Sequence, residues 1–200
     1  MSELHSESPL AHVAQPQGLA VTVREITGRG MIDLRGLASD KKFMKAAKET
    51  LGVALPTKPR TSVSWGDIKV LWLSTDQWLI LCAKDKAAEL LAALRTALTG
   101  LHSLAVDVSD MRAIIRIEGE GAREILMKGS SLDLLDGSYV PGTVRRMRYA
   151  EIAALLQVIE DDAFDIYVFR SYADYAWTFL TTSAKEAAAI RLFGAQPAPV

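Results

Sequence analysis

Strand-like and helical patterns alternate along this sequence, and several strands are joined by hairpin turns. Together these predict an α+β fold of antiparallel sheets with helices packed on one face. Three observations carry the prediction. Period-two apolar runs recur between residues 19 and 169. Runs with apolar positions three and four apart interrupt them. Polar tetrapeptides such as Ser74-Thr75-Asp76-Gln77 separate adjacent extended runs. Hairpins of that kind require antiparallel neighbours, whereas a doubly wound parallel sheet needs a long crossover at every connection.

In chain order, the run at 19–26 places Leu19, Val21, Val23 and the polar Glu25 on one face of a strand, and Gly28 and Gly30 break it. A second strand covers 31–36. Its alternation puts Arg29, Asp33 and Arg35 on one face, where a polar network is expected rather than a catalytic site. Ser39 or Asp40 caps a helix with Phe43, Ala47 and Leu51 spaced by four, and Gly52 and Pro56 end it. Strands follow at Val63, at 70–73 and at 78–81, the last two forming the hairpin around Asp76. Asp85 opens a helix carrying Ala87, Leu90, Leu91, Leu94 and Leu98, with Gly100 beyond it.

The second half repeats this style without an exact sequence repeat. Strands are predicted at 104–108 and 113–117, a short helix from Gly121 to about Met127, and strands at 144–149, 152–159 and 164–169. Asp161 and Asp162 turn between the last two. Ser171 or Asp174 starts a final helix bearing Tyr172, Tyr175, Ala176, Phe179 and Leu180. Residues 1–17, polar and holding Pro9 and Pro16, are expected as a flexible N-terminal arm. Residues 18–193 form one domain with lobes at roughly 18–100 and 101–193, and 194–200 read as a tail.

Composition narrows the function classes. The chain has 200 residues, half of them hydrophobic, with 23 basic and 24 acidic side chains and a formal charge of −1. That is ordinary for a folded protein and advertises neither nucleic acid nor an anionic membrane. Apolar windows fall short of the ~20 residues of a membrane span. The first 17 residues lack a basic n-region, so no secretory signal is expected and a cytoplasmic location is. Cys82, the single cysteine, lies in an apolar run and reads as a buried structural thiol.

Candidate chemistry is sparse. His5 and His12 sit in the arm and His102 follows Gly100, so surface histidines explain them better than a metal trio. Gly28-Arg29-Gly30 lacks dinucleotide-binding spacing and precedes an extended segment, so a tight turn with positive φ accounts for its glycines. Gly119-Glu120-Gly121 also reads as a turn, its acidic neighbours repelling phosphate. Asp107 and Asp110, or the group Asp161, Asp162 and Asp165, could do acid–base work or hold a hard cation if they shared a cleft. Solvated residues at the tip of a hairpin account for Asp161 and Asp162 more simply. Arg145, Arg146 and Arg148 fit a charged edge strand or a contact with an acidic partner. Trp65, Trp72, Trp78 and Trp177, with Tyr167, Tyr172, Tyr175 and Phe179, divide between core and docking surface. From its residues alone this is a catalytically silent domain, with no catalytic, cofactor-binding or metal-binding residue assigned.

Gly28-Arg29-Gly30-Met31-Ile32-Asp33-Leu34-Arg35-Gly36 resembles the opening motif of the sarcosine oxidase gamma subunit family. The resemblance continues in order through Leu51-Gly52-Val53, Leu55-Pro56, Leu71-Trp72-Leu73, Asp76-Gln77-Trp78-Leu79-Ile80 and Val106-Asp107-Val108-Ser109-Asp110. It then runs through Gly121-Ala122-Arg123-Glu124-Ile125-Leu126, Lys128-Gly129, Phe164-Asp165 and Arg170-Ser171, spanning roughly 18–182. The second half is also similar to the folate-binding module of aminomethyltransferases, where a strand ending in Asp-x-Ser precedes a glycine turn and a helix. The resemblance implies two interlocked ferredoxin-like lobes. It further implies a non-catalytic subunit of a heterotetramer that oxidises sarcosine to glycine, releases hydrogen peroxide and can pass the one-carbon unit to tetrahydrofolate. FAD, FMN, NAD, tetrahydrofolate and zinc would then belong to partner subunits, foremost the large folate-binding alpha subunit. The alternative is a stand-alone folate-binding or aminomethyltransferase-like one-carbon protein. No equivalent of the aminomethyltransferase catalytic aspartate is placed near Glu160, Asp161 and Asp162.

Overall fold

The computed structural model describes residues 7–185. Within them the chain forms β1 (Thr22–Glu25), β2 (Arg29–Gly36), α1 (Lys41–Leu51), β3 (Ser62–Trp65), β4 (Ile68–Ser74), β5 (Gln77–Ala83) and α2 (Ala87–Ala97). The second half adds β6 (Ser103–Asp107), β7 (Arg112–Glu118), α3 (Ala122–Met127), β8 (Val144–Tyr149), β9 (Ile152–Glu160), β10 (Ala163–Phe169) and α4 (Ala173–Ser183). The ten strands make two antiparallel sheets, ordered β1-β7-β10-β9-β8 and β3-β4-β5-β2-β6.

Two strands cross between the halves. The first half lends β1 to the second-half sheet, where Val23 sits opposite Ile117. The second half returns β6, where Ala105 sits opposite Leu34. The two lobes are thus interlocked, as the resemblance implies, each sheet taking one edge strand from across residue 100. Backbone hydrogen bonds add stitches elsewhere, from Ser62 N to the Gly142 carbonyl at 2.8 Å and from Val144 N to the Arg60 carbonyl at 2.9 Å.

The strand period of two sorts side chains into three apolar layers. Ile32, Leu34, Val70, Trp78 and Ile80 face outward from the β2 sheet against Phe43, Ala47, Leu51 and Leu94 of α1 and α2. Ile115, Ile117, Leu156, Val158, Phe164, Ile166 and Val168 meet Ala122, Leu126, Ala176, Trp177 and Leu180 of α3 and α4. Between the sheets lie Met31, Leu71, Leu79, Leu81, Ile114, Leu155 and Tyr167. The order is helix, sheet, sheet, helix.

Local chemistry explains the element ends. Asp40 takes the α1 cap, its Oδ1 accepting from Lys42 N at 2.8 Å and Phe43 N at 3.2 Å, and Gly52 closes the helix with φ of 71°. Neither Ser171 nor Asp174 caps α4, which starts after a short 3-10 turn at Arg170–Tyr172 with no side-chain cap. The long connection 128–143 is held by Arg123, whose guanidinium donates to the carbonyls of Asp161, Leu134 and Tyr139.

Of the expected flexible arm, residues 1–6 lie outside the described residues, as does the tail at 194–200. Residues 7–13 are anchored rather than loose, because Leu10 is buried in the α3–α4 core and Val13 packs against it. Burial of apolar side chains outweighs the disorder that the two prolines suggest.

The glycines of the 28–36 motif have separate jobs. Gly28 is in the left-handed region with φ of 72°, as a tight turn requires. Gly30 is not a turn residue: it lies within β2, and a Cβ there would come within 2.6 Å of the Ala87 Cβ. At Gly36 a Cβ would stand 2.5 Å from the Phe43 ring, which itself rests against Trp78 at a centroid distance of 5.8 Å. Gly36→Ala is therefore expected to cost about 1–3 kcal/mol through overpacking. Urea unfolding measures it, and an unchanged midpoint would show that the Phe43 ring can move aside.

Candidate functional site

The faces that the two sheets turn toward each other are apolar at their centre and charged at the ends of the cleft. Arg29, Asp33 and Arg35 share the inward face of β2, as alternation predicts, but they do not bond to one another. Gln77 Nε2 donates to both Asp33 oxygens at 2.9 Å, and Arg146 of β8 donates to Gln77 Oε1 at 3.1 Å. Arg35 stands 3.5 Å from Asp76. The Ser74 hydroxyl, then Arg35 and Arg146, hold the Asp76 carboxyl below its ordinary value. The polar network thus runs across the cleft rather than along the strand.

At the other end Arg116 of β7 grips Asp165 of β10 with two hydrogen bonds, Nε to Oδ1 at 2.7 Å and Nη2 to Oδ2 at 2.9 Å. Their side chains are 19% and 5% exposed. That Asp165 bond raises the Arg116 pKa further. Beside the pair the Tyr167 hydroxyl donates to Gln157 Oε1 at 2.8 Å, and Gln157 Nε2 reaches Ser62 Oγ of the other sheet at 3.3 Å. Burial pushes the Tyr167 hydroxyl well above its ordinary pKa. Lys69 of β4 faces this group, and burial pulls its ammonium below the usual lysine value, with Asp165 opposing and Arg116 and Arg29 adding to the fall.

These placements revise several expectations. Asp165 is not a turn residue with Asp161 and Asp162. The alternation of β10 turns it into the cleft, where a carboxylate requires the Arg116 partner. Asp161 and Asp162 do occupy the β9–β10 turn, and Arg123 binds the Asp161 carbonyl. Asp107 and Asp110 do not converge. Asp107 Oδ1 accepts from Ser109 N at 2.8 Å, Ser109 Oγ accepts from Met31 N at 3.0 Å, and Asp110 meets Lys84 Nζ at 3.2 Å. The Asp-x-Ser segment therefore ties the end of β6 to β2.

His12 Nε2 lies 2.8 Å from Asp174, His102 borders a shallow pocket with Arg35 and Leu104, and His5 lies outside the described residues. Cys82 is buried, and burial raises its thiol pKa, with the Asp107 charge adding to the rise. Arg145, Arg146 and Arg148 lie on β8, an edge strand, where Arg148 pairs with Glu151. Lys69, Arg116 and Gln157 are functional-site residues that motif and spacing do not pick out. Their signal was a charged or amide side chain inside an apolar strand run, as in Ile114-Ile115-Arg116-Ile117.

Among the described residues two cavities border the cleft. One of about 90 Å³ is bordered by Arg29, Lys69, Arg116, Asp165 and Tyr167. The other, of about 230 Å³, lies under Glu7, Ser8 and Pro9 and is also bordered by Arg29. Outside the cleft, a wider groove of about 970 Å³ runs past Met111, Ile152, Phe169 and Tyr172.

Removing Asp165 strands a mostly buried guanidinium. Asp165→Ala is expected to destabilise the fold by about 3–5 kcal/mol, and Asp165→Ala with Arg116→Met to recover part of that loss. Thermal and urea unfolding of the two variants measure both effects. A double variant no better than the single would contradict the pairing.

Comparisons with known proteins agree with this geometry. The profile of the sarcosine oxidase, gamma subunit family matches residues 35–186. Sarcosine oxidase subunit gamma of Corynebacterium sp. (strain U-96) is 27% identical over 189 residues, covering 90% of each chain. A chain of the heterotetrameric sarcosine oxidase from Corynebacterium sp. U-96, solved with pyrrole 2-carboxylate, superposes with a TM-score of 0.85 at 25% identity, over 92% of this chain and 97% of that one. The glycine cleavage system aminomethyltransferase T of Bartonella henselae gives a TM-score of 0.60 at 14% identity, over 79% of this chain and 44% of that one, a likeness of fold.

Proposed function

The chain belongs to the sarcosine oxidase gamma subunit family, and on that premise we propose that it is a non-catalytic structural subunit of a heterotetrameric amine oxidase. The complex would demethylate sarcosine oxidatively to glycine, release hydrogen peroxide and hand the one-carbon unit to tetrahydrofolate. Flavins, NAD, folate and zinc would reside in the partner subunits. The large folate-binding subunit would be the principal neighbour in a cytoplasmic assembly. Among the described residues no helix is long and apolar enough to cross a membrane.

The observation that carries the proposal is the aromatic surface at one end of the second-half sheet. Phe169, Tyr172 and Tyr175 are 37%, 46% and 41% exposed, although they adjoin elements whose other apolar side chains are buried. Phe169 and Tyr172 border the wide groove with Met111 and Ile152, and Tyr175 follows Tyr172 by one helical turn. Contiguous exposed aromatics of this kind mark interface cores. Trp65, 68% exposed at the end of edge strand β3, offers a second anchor.

The stand-alone folate alternative needs a deep apolar cleft, typically 300–1,000 Å³. The cavities between the sheets are about 90 and 230 Å³ and are bordered by charge, and the groove of about 970 Å³ past Met111 and Ile152 is open surface rather than a deep cleft, which favours docking. Weak or negligible tetrahydrofolate binding is therefore expected from the isolated chain. Titration followed by tryptophan fluorescence and calorimetry checks it, and micromolar saturable binding would promote the alternative.

Capture of the tagged chain co-expressed with its candidate partner subunits tests the proposal itself. A stoichiometric complex that releases peroxide from sarcosine supports it, and peroxide release by the chain alone overturns it. Tyr172→Ala with Tyr175→Ala should weaken assembly by about 2 kcal/mol or more while leaving the fold intact. Unchanged complex yield would move the docking surface elsewhere.

A further inference from the structure

The smaller cavity between the sheets presents more positive charge than the protein neutralises. Five charged groups border it: Arg29, Lys69, Arg116, Asp67 and Asp165. Asp165 is committed to Arg116 through both carboxylate oxygens. Asp67 sits exposed on the turn between β3 and β4. Arg29 and Lys69 make no hydrogen bond or ion pair with the described residues. Lys69 is held on β4 between Ser64 of β3 and Leu81 of β5, and its ammonium faces both Asp165 and Arg116 of the opposite sheet, a carboxylate that it must share with the guanidinium already bonded to it. A half-buried lysine beside two guanidiniums is unfavourable unless an anion joins it. The cavity, about 90 Å³, exceeds what one water needs and stays small for an extended ligand.

We propose that this end of the cleft binds a compact oxyanion of the phosphate or carboxylate class, held by Lys69 and Arg29. Lys69 supplies a point charge from one sheet, and Arg29 closes the mouth with its planar fork. Arg116 contributes field rather than a direct bond, because Asp165 occupies two of its donors. The Ser64 hydroxyl borders the same space and can donate. A bound anion would remove the repulsion among the three cations and tighten the contact between the sheets. The site is independent of the aromatic docking surface, which lies beyond Phe169 at the other end of β10.

The test uses the full chain, with inorganic phosphate, acetate and chloride titrated at matched ionic strength while the melting temperature is followed. Phosphate or acetate should raise it saturably above chloride. A stronger response to phosphate assigns a dianion, and a stronger response to acetate assigns a carboxylate. Lys69→Met should raise the melting temperature without added anion, since it deletes a destabilised charge. It should also weaken the oxyanion response roughly tenfold. Lys69→Arg should retain the response. Three results would each overturn the site: oxyanions indistinguishable from chloride, an intact response in Lys69→Met, or a lower starting stability in that variant. If the response is present in the free chain and lost in the assembled complex, a partner's acidic side chain fills the cavity, and the small-molecule assignment fails.

Discussion

The exchange of edge strands between the two sheets is the constraint on which the rest of the molecule depends. With β1 in the second-half sheet and β6 in the first-half sheet, neither half of the chain can complete its sheet alone. The swap also fixes how the sheets face one another. Once Val23 is opposite Ile117 and Ala105 opposite Leu34, a one-residue slip would turn every apolar side chain to the wrong face. The apolar seam of Met31, Leu71, Leu79, Ile114, Leu155 and Tyr167 then forms between sheets already bound covalently and by hydrogen bonds.

That arrangement places charged residues where isolated ones would be costly. Arg116 and Asp165 satisfy each other, Gln157 and Tyr167 complete the hydrogen bonds nearby, and Gln77 carries Asp33 to Arg146 across the cleft. Such networks specify one alignment of two sheets more than they stabilise it, because desolvation offsets much of the attraction. The apolar contacts supply the stability, and the polar ones select the pairing that uses it. A body fixed in this way can present Phe169, Tyr172 and Tyr175 to a partner with little loss of conformational entropy on docking.

Much of this was legible in the sequence, for local reasons. The hairpin around Asp76, the Asp40 cap, the β9–β10 turn at Asp161 and Asp162, and the charged edge strand β8 all follow from short-range rules. The pairing of β1 with β7 and of β6 with β2 was not legible, because a period of two states which face is buried and never which strand lies alongside. Asp165 was grouped with Asp161 and Asp162 by proximity along the chain, whereas alternation within β10 sends it to Arg116, 49 residues away. Gly30 reads as a turn residue in the sequence because its real constraint, the approach of Ala87, comes from a helix that only the tertiary fold brings near. Leu10 was lost in a segment with two prolines, where composition says little about a single buried anchor. Lys69 stands out only as a charge in the apolar run Ile68-Lys69-Val70-Leu71, and its meaning arises from charges on three other strands.

The central structural claim is that the interlocked halves form one cooperative body. Differential scanning calorimetry of the full chain tests it most directly. A single transition with the calorimetric enthalpy equal to the van't Hoff enthalpy is the predicted result. Two resolved transitions, or a van't Hoff enthalpy near half the calorimetric one, would mean that the halves unfold separately and would contradict the account.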